Sequence, residues 1–376
     1  MQDPISLLEK LVNINSWSYN QEGINACNNL VVEAIKQVPA AHCEFLKKDG
    51  KPNLLIIRNT HVTGQMNVMF LGHMDTVHLQ ERHKDFIIKG EKAEGDGVED
   101  MKGGNVVMLA AFAQLAQSNY NLTVVLNIDE EIGSTSYETE LAKIYAEQQL
   151  TLVFEGGEME DESRKLITDR KGIVAYDVKT VGKAGHSGVL TKPSDRLSSN
   201  LEMIYKLAEI QRLEEKFQTV SVNIGTIHGG QAFNIVSEET TANFEVRSFN
   251  EEEMHEALEL VEEILKKIYR PGVTTEYKKL FNFMPLQKQA DHLKVLEQLK
   301  SSLDAEGTQI EYGNRGGVSD ANKVREHNKS ALVIDALGPV GGESHTKNEW
   351  IELRSIQDSI DLTIKIVDNY NKIISQ

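Results

Sequence analysis

The sequence predicts an α/β protein in which a mainly parallel central sheet covered by helices is interrupted by a smaller inserted α+β domain. Two observations carry this. Up to about Lys171, short apolar runs alternate with helix-like segments, the signature of a parallel sheet covered on both faces. From Gly172 to about Phe281 the order becomes strand, helix, strand, strand, helix, strand (βαββαβ), and helix and strand signals of the first kind resume afterwards. The expected domains are therefore residues 1–171 and 282–376, forming one unit, with 172–281 inserted.

Taken in order, Pro4–Val12 and Asn25–Val38 read as amphipathic helices and Asn53–Arg58 as a strand. Asn67–Leu71 is an apolar run bounded by polar residues, as expected for a strand buried on both faces. Asn105–Gln117, with Val106, Val107, Leu109, Ala110, Phe112, Ala113 and Leu115, suits a well-buried helix. Leu122–Ile128 and Thr151–Phe154 are further strand runs. In the insertion, Ile173–Val181, Val220–Ile227, Thr241–Arg247 and Val273–Lys279 read as strands, and Ser194–Phe217 and Glu251–Tyr269 as helices. Val174, Tyr176 and Val178 alternate with polar residues, so one sheet face should look at water or at another subunit. Leu293–Leu303 is then helical and Ala331–Ala336 a strand. Arg354–Ile373 closes the chain as a helix with Ile356, Ile360, Ile364 and Val367 on one stripe.

Composition excludes several classes of function. The length of 376 residues suits two domains, and a 40% hydrophobic content fits a soluble globular protein rather than a disordered one. A formal charge of −17 disfavours nucleic acid or an anionic membrane as partner. Cys27 and Cys43 form neither a Cys-x-x-Cys pair nor a disulfide framework, and a reducing compartment fits. Met1–Asn13 lacks the basic start and long apolar core of an export signal, so the cytoplasm is the expected location. No run reaches the roughly 18 apolar residues needed to span a bilayer.

Chemistry gathers where the strand runs stop. His73 and Asp75 are two apart, so in extended chain both side chains leave on one side, and Asp75 can hold one imidazole nitrogen while the other takes a metal. Asp100 precedes the Gly103-Gly104 turn, where an aspartate taken alone is usually a helix cap. Asp129-Glu130-Glu131 has no Lys or Arg nearby to offset three carboxylates, and Glu155 follows the next strand. In open α/β sheets such strand ends meet at one crevice, where ligands bind. His345 sits late, in a Gly-rich loop, and alone would be an exposed, idle histidine.

His73-Met74-Asp75, Gly-Val-Glu-Asp100-Met-Lys-Gly-Gly, Asp-Glu130-Glu131-Ile-Gly-Ser, Glu155-Gly-Gly, Gly-Lys-Ala-Gly-His186-Ser-Gly and His345 together resemble the M20 family of co-catalytic zinc peptidases and deacylases, in order over nearly the whole chain. The Gly316-Gly317-Val318-Ser319-Asp320-Ala321-Asn322 turn is similar to that of its carboxypeptidase G2-like branch. The resemblance implies two Zn²⁺ per subunit, replaceable by Mn²⁺ or Co²⁺. One would be held by His73, Glu155 and Asp100, the other by Glu131, His345 and the same Asp100. It implies Glu130 as general base and later acid, and Asp75 as the residue that orients His73. His186 would reach across a homodimer, formed through the inserted lid domain, to stabilise the tetrahedral oxyanion.

Asn234 and Arg247 match positions that hold the substrate's free carboxylate, although Arg247 alone reads equally as an edge-of-strand ion pair. Gly317 and Ser319 lie in the substrate loop, and the Asp100–Met101 peptide would be cis. The activity implied is amide hydrolysis. An exopeptidase removing a C-terminal residue such as glutamate from a short peptide or N-acyl amino acid leads. The alternatives are a biosynthetic N-acyl amino acid deacylase, similar to acetylornithine deacetylase or succinyl-diaminopimelate desuccinylase, and a metal-binding protein without turnover.

Overall fold

The computed structural model describes residues 2–190 and 192–375. The chain forms two compact units, one made of Met1–Thr168, Lys288–Asn314 and Ser319–Gln376, the other of Asp169–Gln287 with Arg315–Val318. The inserted unit thus runs a few residues wider than 172–281 at each end and takes in the turn at 315–318.

The first unit is built on a six-stranded sheet in the order His42–Leu46, Leu54–Arg58, Tyr120–Asn127, Met66–His73, Leu150–Val153, Leu332–Ile334. Its last four strands are parallel, while Leu54–Arg58 and His42–Leu46 add as an antiparallel edge. Burial explains the pattern: every residue of Tyr120–Asn127 is buried, and Met66–His73 is buried except at Asn67. The helix Gly103–Leu115 is apolar nearly all round and lies inside, with Pro4–Val12 and Arg354–Ile374 packed against it. Asp3 caps Pro4–Val12 by accepting the Ser6 N–H, and Pro4 occupies the first turn, where no amide proton is needed.

Register then fixes where the chemistry falls. His73 lies opposite Asn127 and Leu71 opposite Val153, so the segments that leave these parallel strands emerge at one end. Gly104 lets the buried helix lie directly on the end of the strand Leu150–Val153, since a Cβ there would run into the Phe154 carbonyl.

The second unit has a four-stranded antiparallel sheet in the order Ser221–Gly229, Glu239–Ser248, Gly172–Val181, Thr274–Phe283, realising the βαββαβ order. Its core joins Val174, Tyr176, Val178 and Phe244 from the sheet to Met203, Leu207 and Val261 from the helices Ser199–Gln211 and Glu251–Lys266. The helix expected over 194–217 is broken. Ser198 caps Ser199–Gln211, and a short turn of helix follows at Leu213–Lys216. Among the described residues no helix is long and apolar enough to cross a membrane.

Candidate metal centre

His73 is the last residue of its strand and almost wholly buried. Its Nε2 lies 3.1 Å from Asp100 Oδ1 and 3.8 Å from Glu155 Oε1. On the other side of the same carboxylate, His345 Nε2 lies 3.0 Å from Asp100 Oδ2 and 3.3 Å from Glu131 Oε2. Asp100 therefore presents one oxygen to each imidazole, and the five residues form two triads: His73, Asp100 and Glu155, and Asp100, Glu131 and His345. Within each triad the ligand atoms lie within 4.8 Å of one another. The Asp100–Met101 peptide is cis.

Without cations the cluster is held together by protons. Burial alone would lower the His73 pKa, but hydrogen bonds to Asp100 and Asp75 and the charge of Glu155 lift it well above the ordinary imidazole value. Hydrogen bonds to Asp100 and Glu131 push His345 up to about 11. Asp100 is buried, which would raise its carboxyl, yet the two histidines hold it well below the usual carboxylate range. Glu130 and Glu131 are both pushed up, first by burial and then by neighbouring carboxylates.

Two positive charges are thus drawn to the two sides of Asp100, where the triads would place metal ions. The donor set fits: imidazole nitrogen and carboxylate oxygen without thiolate suit Zn²⁺, and Mn²⁺ or Co²⁺ can substitute. Glu131 Oε1 is buried with no hydrogen-bond partner among the described residues, an acceptor left for a cation.

Asp75 is fully buried. The His73 Nδ1 contacts the Asp75 carbonyl oxygen at 2.9 Å and its carboxylate at 3.4 Å, which directs Nε2 towards the cluster. The Asp75 carboxylate itself accepts from the Ser18 hydroxyl at 2.8 Å and from the backbone N–H groups of Glu130 and Glu131.

The remaining expected site residues fall in several places. In the second unit Gly185–His186 pairs with Ile235–Val236, His186 Nδ1 accepts from Gly188 N–H, and the Asn234 carbonyl accepts from Ser187 N–H, so exposed His186 and Asn234 are neighbours. Arg247 forks onto Glu245 at 2.8 and 3.1 Å and donates to the Gly316 carbonyl, the strand ion pair being the state seen. The Gly317 carbonyl accepts from Arg170. Ser319, expected in the substrate loop, is wholly buried: its hydroxyl donates to Asp335 at 2.6 Å and caps the helix Asp320–His327.

Two buried acids at the centre were not among the expected site residues, although Asp320 lies in the turn that carries the resemblance. Asp320, which accepts from Asn127 and Ser134, is raised to about 6 by burial despite those hydrogen bonds. Glu349 binds the backbone around Asp100. An acid whose partners are backbone amides or lie far along the chain leaves no pattern of spacing to read.

Residues 69–369 match the profile of peptidase family M20/M25/M40. Carboxypeptidase G2 of Pseudomonas sp. (strain RS-16) is 27% identical over 380 residues, 96% of this chain and 88% of that protein. Succinyl-diaminopimelate desuccinylase of Rickettsia akari (strain Hartford) is 26% identical over 79% of this chain and 81% of its own length. Among solved structures, aminopeptidase PepT from Bacillus cereus superposes with a TM-score of 0.76 at 20% identity, covering 98% of both chains. The Bacillus subtilis YXEP protein, a dinuclear metal binding peptidase, does so with a TM-score of 0.70 at 11% identity, covering 99% of this chain and 97% of that one. The matched span runs from the His73 strand to the closing helix and takes in every residue of both triads. The family that the motifs resemble is the one to which this chain belongs, peptidase family M20/M25/M40.

Proposed function

We propose that this metal-dependent hydrolase binds two divalent cations, Zn²⁺ in the first instance, and works as an exopeptidase on short peptides or N-acyl amino acids with a C-terminal residue such as glutamate. The observation that carries the reading is the double-faced carboxylate of Asp100, with His73 and Glu155 on one side and His345 and Glu131 on the other. Bound there, the cations would supply Lewis acidity and lower the pKa of a coordinated water.

The chain's own groups do the rest. Asp75 keeps the His73 tautomer that frees Nε2 for ligation. Glu130, adjoining the ligand Glu131 but outside both triads, takes the proton from the attacking water and returns it to the leaving amine. Burial raises its carboxyl above the ordinary value, which helps it to hold the proton that it takes.

In this reading His186 serves the centre of a second copy of the chain, donating to the oxyanion. Its exposure, and the exposed apolar side chains Val189, Ile227 and Phe233 in the same unit, support a homodimer formed there. Arg247 exchanges Glu245 for the substrate's carboxylate, and Asn234, which neighbours His186, acts with it from the second copy. The turn carrying Gly317 shapes the pocket, with Ser319 anchoring its far end as a cap.

A deacylase acting on small N-acyl amino acids is the second reading, favoured by the match to a succinyl-diaminopimelate desuccinylase. A Zn²⁺-supplemented panel of dipeptides and N-acyl amino acids, some ending in glutamate, tests both. The peptidase reading expects the highest kcat/KM on substrates ending in glutamate. A preference set by the acyl group favours the deacylase, and no hydrolysis of any member overturns both. Solution mass and the activity of His186→Ala test the dimer, and a fully active monomer would end that part of the reading.

A further inference from the structure

We propose that Glu349 is the positioning residue for the Asp100 carboxylate, and that uptake of the second cation depends on it. The inference rests on the binuclear reading above and concerns a side chain outside both triads.

Glu349 is 1% exposed, and a buried carboxylate needs partners to stay charged. It has four. Oε1 accepts the backbone N–H of Glu99 at 2.8 Å and of Asp100 at 2.9 Å; Oε2 accepts the backbone N–H of Gly97 at 2.9 Å and faces His78 Nε2 at 2.8 Å. Three backbone donors of one short turn are thereby gathered on a single side chain. Charge-assisted hydrogen bonds of this kind are roughly twice as strong as neutral ones.

The turn needs such an anchor because its backbone is irregular. Gly97 has φ of +74°, and within Val98–Lys102 both Asp100 and Met101 have non-helical dihedrals. Where Asp100 points depends on how those amides are held, and Glu349 holds three of them. Bridging two cations requires each Asp100 oxygen to face its own histidine, a demand that a small rotation of the turn would break.

The anchor is itself fixed. Directly after Glu349, Trp350–Glu352 pairs with Lys92–Glu94 on one side and, through Trp350 and Ile351, with Gly341–Gly342 on the other. His78, which faces Glu349 through Nε2, lies with Nδ1 3.5 Å from Asp96 Oδ1. The loop between Gly342 and Trp350 therefore carries both His345, a ligand, and Glu349, the holder of the bridging ligand. A second tie joins the same two segments, because the Ser344 hydroxyl donates to the Glu99 carboxylate. Asp100 and His345 are in this way set by one loop, and the triad Asp100, Glu131 and His345 should be the more sensitive of the two.

The test measures cation stoichiometry and affinity by chelator competition in Glu349→Gln, Glu349→Ala and the conservative Glu349→Asp, alongside kcat, KM and the Tm of the metal-free protein. A carboxamide can keep its oxygen on the Glu99 and Asp100 amides and turn its NH₂ to His78, leaving only the Gly97 amide unmatched, so Glu349→Gln is a mild change expected to fold. The expected result is two equivalents in the wild type. In Glu349→Gln the second cation should be held about tenfold more weakly or worse, with kcat lowered and KM nearly unchanged. Glu349→Ala should retain a single equivalent, and Glu349→Asp should fall between wild type and Ala.

Tyr120→Phe, which removes a 2.7 Å hydrogen bond to Asp368 at the opposite end of the strands, serves as the structural control. It should lower Tm without changing either affinity. The inference is overturned if Glu349→Gln binds both cations as the wild type does, or if the control loses as much affinity for the same loss of Tm. A wild-type protein that takes up one equivalent only would sink the binuclear reading as well, which separates the two failures.

Discussion

The Asp75 carboxylate accepts the backbone N–H of Glu130 at 3.1 Å, and through this bond the segment that ends the His73 strand holds the turn that carries the proposed base. The same carboxylate takes the Glu131 N–H at 3.2 Å and the Ser18 hydroxyl at 2.8 Å, all in a buried setting. An asparagine here would offer one acceptor oxygen and turn an NH₂ against donors. Asp75→Asn should therefore cost about 1–3 kcal/mol, the usual penalty for a buried donor left unmet. It should also lower kcat, because both the Glu130 turn and the His73 ring lose their stop. Urea unfolding and steady-state kinetics on the same preparation check both, and an unchanged kcat would separate Asp75 from catalysis.

Glu130 sits in neither triad, so its removal should spare the metal. Glu130→Gln is expected to reduce kcat about 10²- to 10⁴-fold, the range for loss of a general acid–base group. Elemental analysis should find wild-type metal content. Loss of metal in step with activity would make Glu130 a ligand instead.

How protons stand in for cations sets the pH behaviour. In the metal-free chain the His345 pKa is raised to about 11 and that of His73 also lies well above the unfolded value. A histidine raised on folding stabilises fully below its unfolded pKa of about 6.5, and that contribution disappears as pH climbs through the folded value. The metal-free protein should accordingly lose stability from about pH 6.5 towards about 11, and the raised Glu130 carboxyl pushes the same way from lower pH. His345 is more than half exposed, so solvent screening keeps its share small. Metal uptake at neutral pH must displace both imidazole protons, about two per chain. Calorimetry in buffers of different ionisation heat reads that number directly; no release would mean that the histidines are neutral or do not bind.

Much of this was legible in the sequence for a physical reason. Strands buried on both faces must be apolar throughout, so Asn67–Leu71, Leu122–Ile128 and Thr151–Phe154 stand out, and the acids and imidazoles that follow them mark one end of a parallel sheet. Edge strands give no such signal. His42–Leu46 is exposed or half-buried along its length, and nothing local reveals that Leu54–Arg58 runs antiparallel. The helix Glu138–Ala146 is short and acid-rich, and Asp320–His327 begins inside the turn read as a substrate loop. Glu349 was invisible because its partners are mostly backbone amides about 250 residues earlier, for which sequence carries no pairing signal.

The inserted unit offers a test that does not involve metal. Tyr176 stacks on Phe244, its direct neighbour across the sheet, with ring centroids 5.0 Å apart and planes 11° from parallel. Both rings are in the core, and the Tyr176 hydroxyl is buried without a hydrogen-bond partner among the described residues. Burial accordingly raises the phenol pKa above its ordinary range. Folding thus strips water from a polar group and gives nothing back, a penalty of about 1–3 kcal/mol in protein mutational data. Tyr176→Phe keeps the stacked ring and removes that penalty, so it should stabilise the protein by up to about 1–2 kcal/mol. Phe244→Ala, which removes the ring opposite, should destabilise it by about 3–5 kcal/mol. Denaturant unfolding of the two variants decides the matter. A clear loss of stability in Tyr176→Phe would mean that the hydroxyl is bonded in solution, for instance to a buried water, and that the core of this unit is wetter than its side-chain packing indicates.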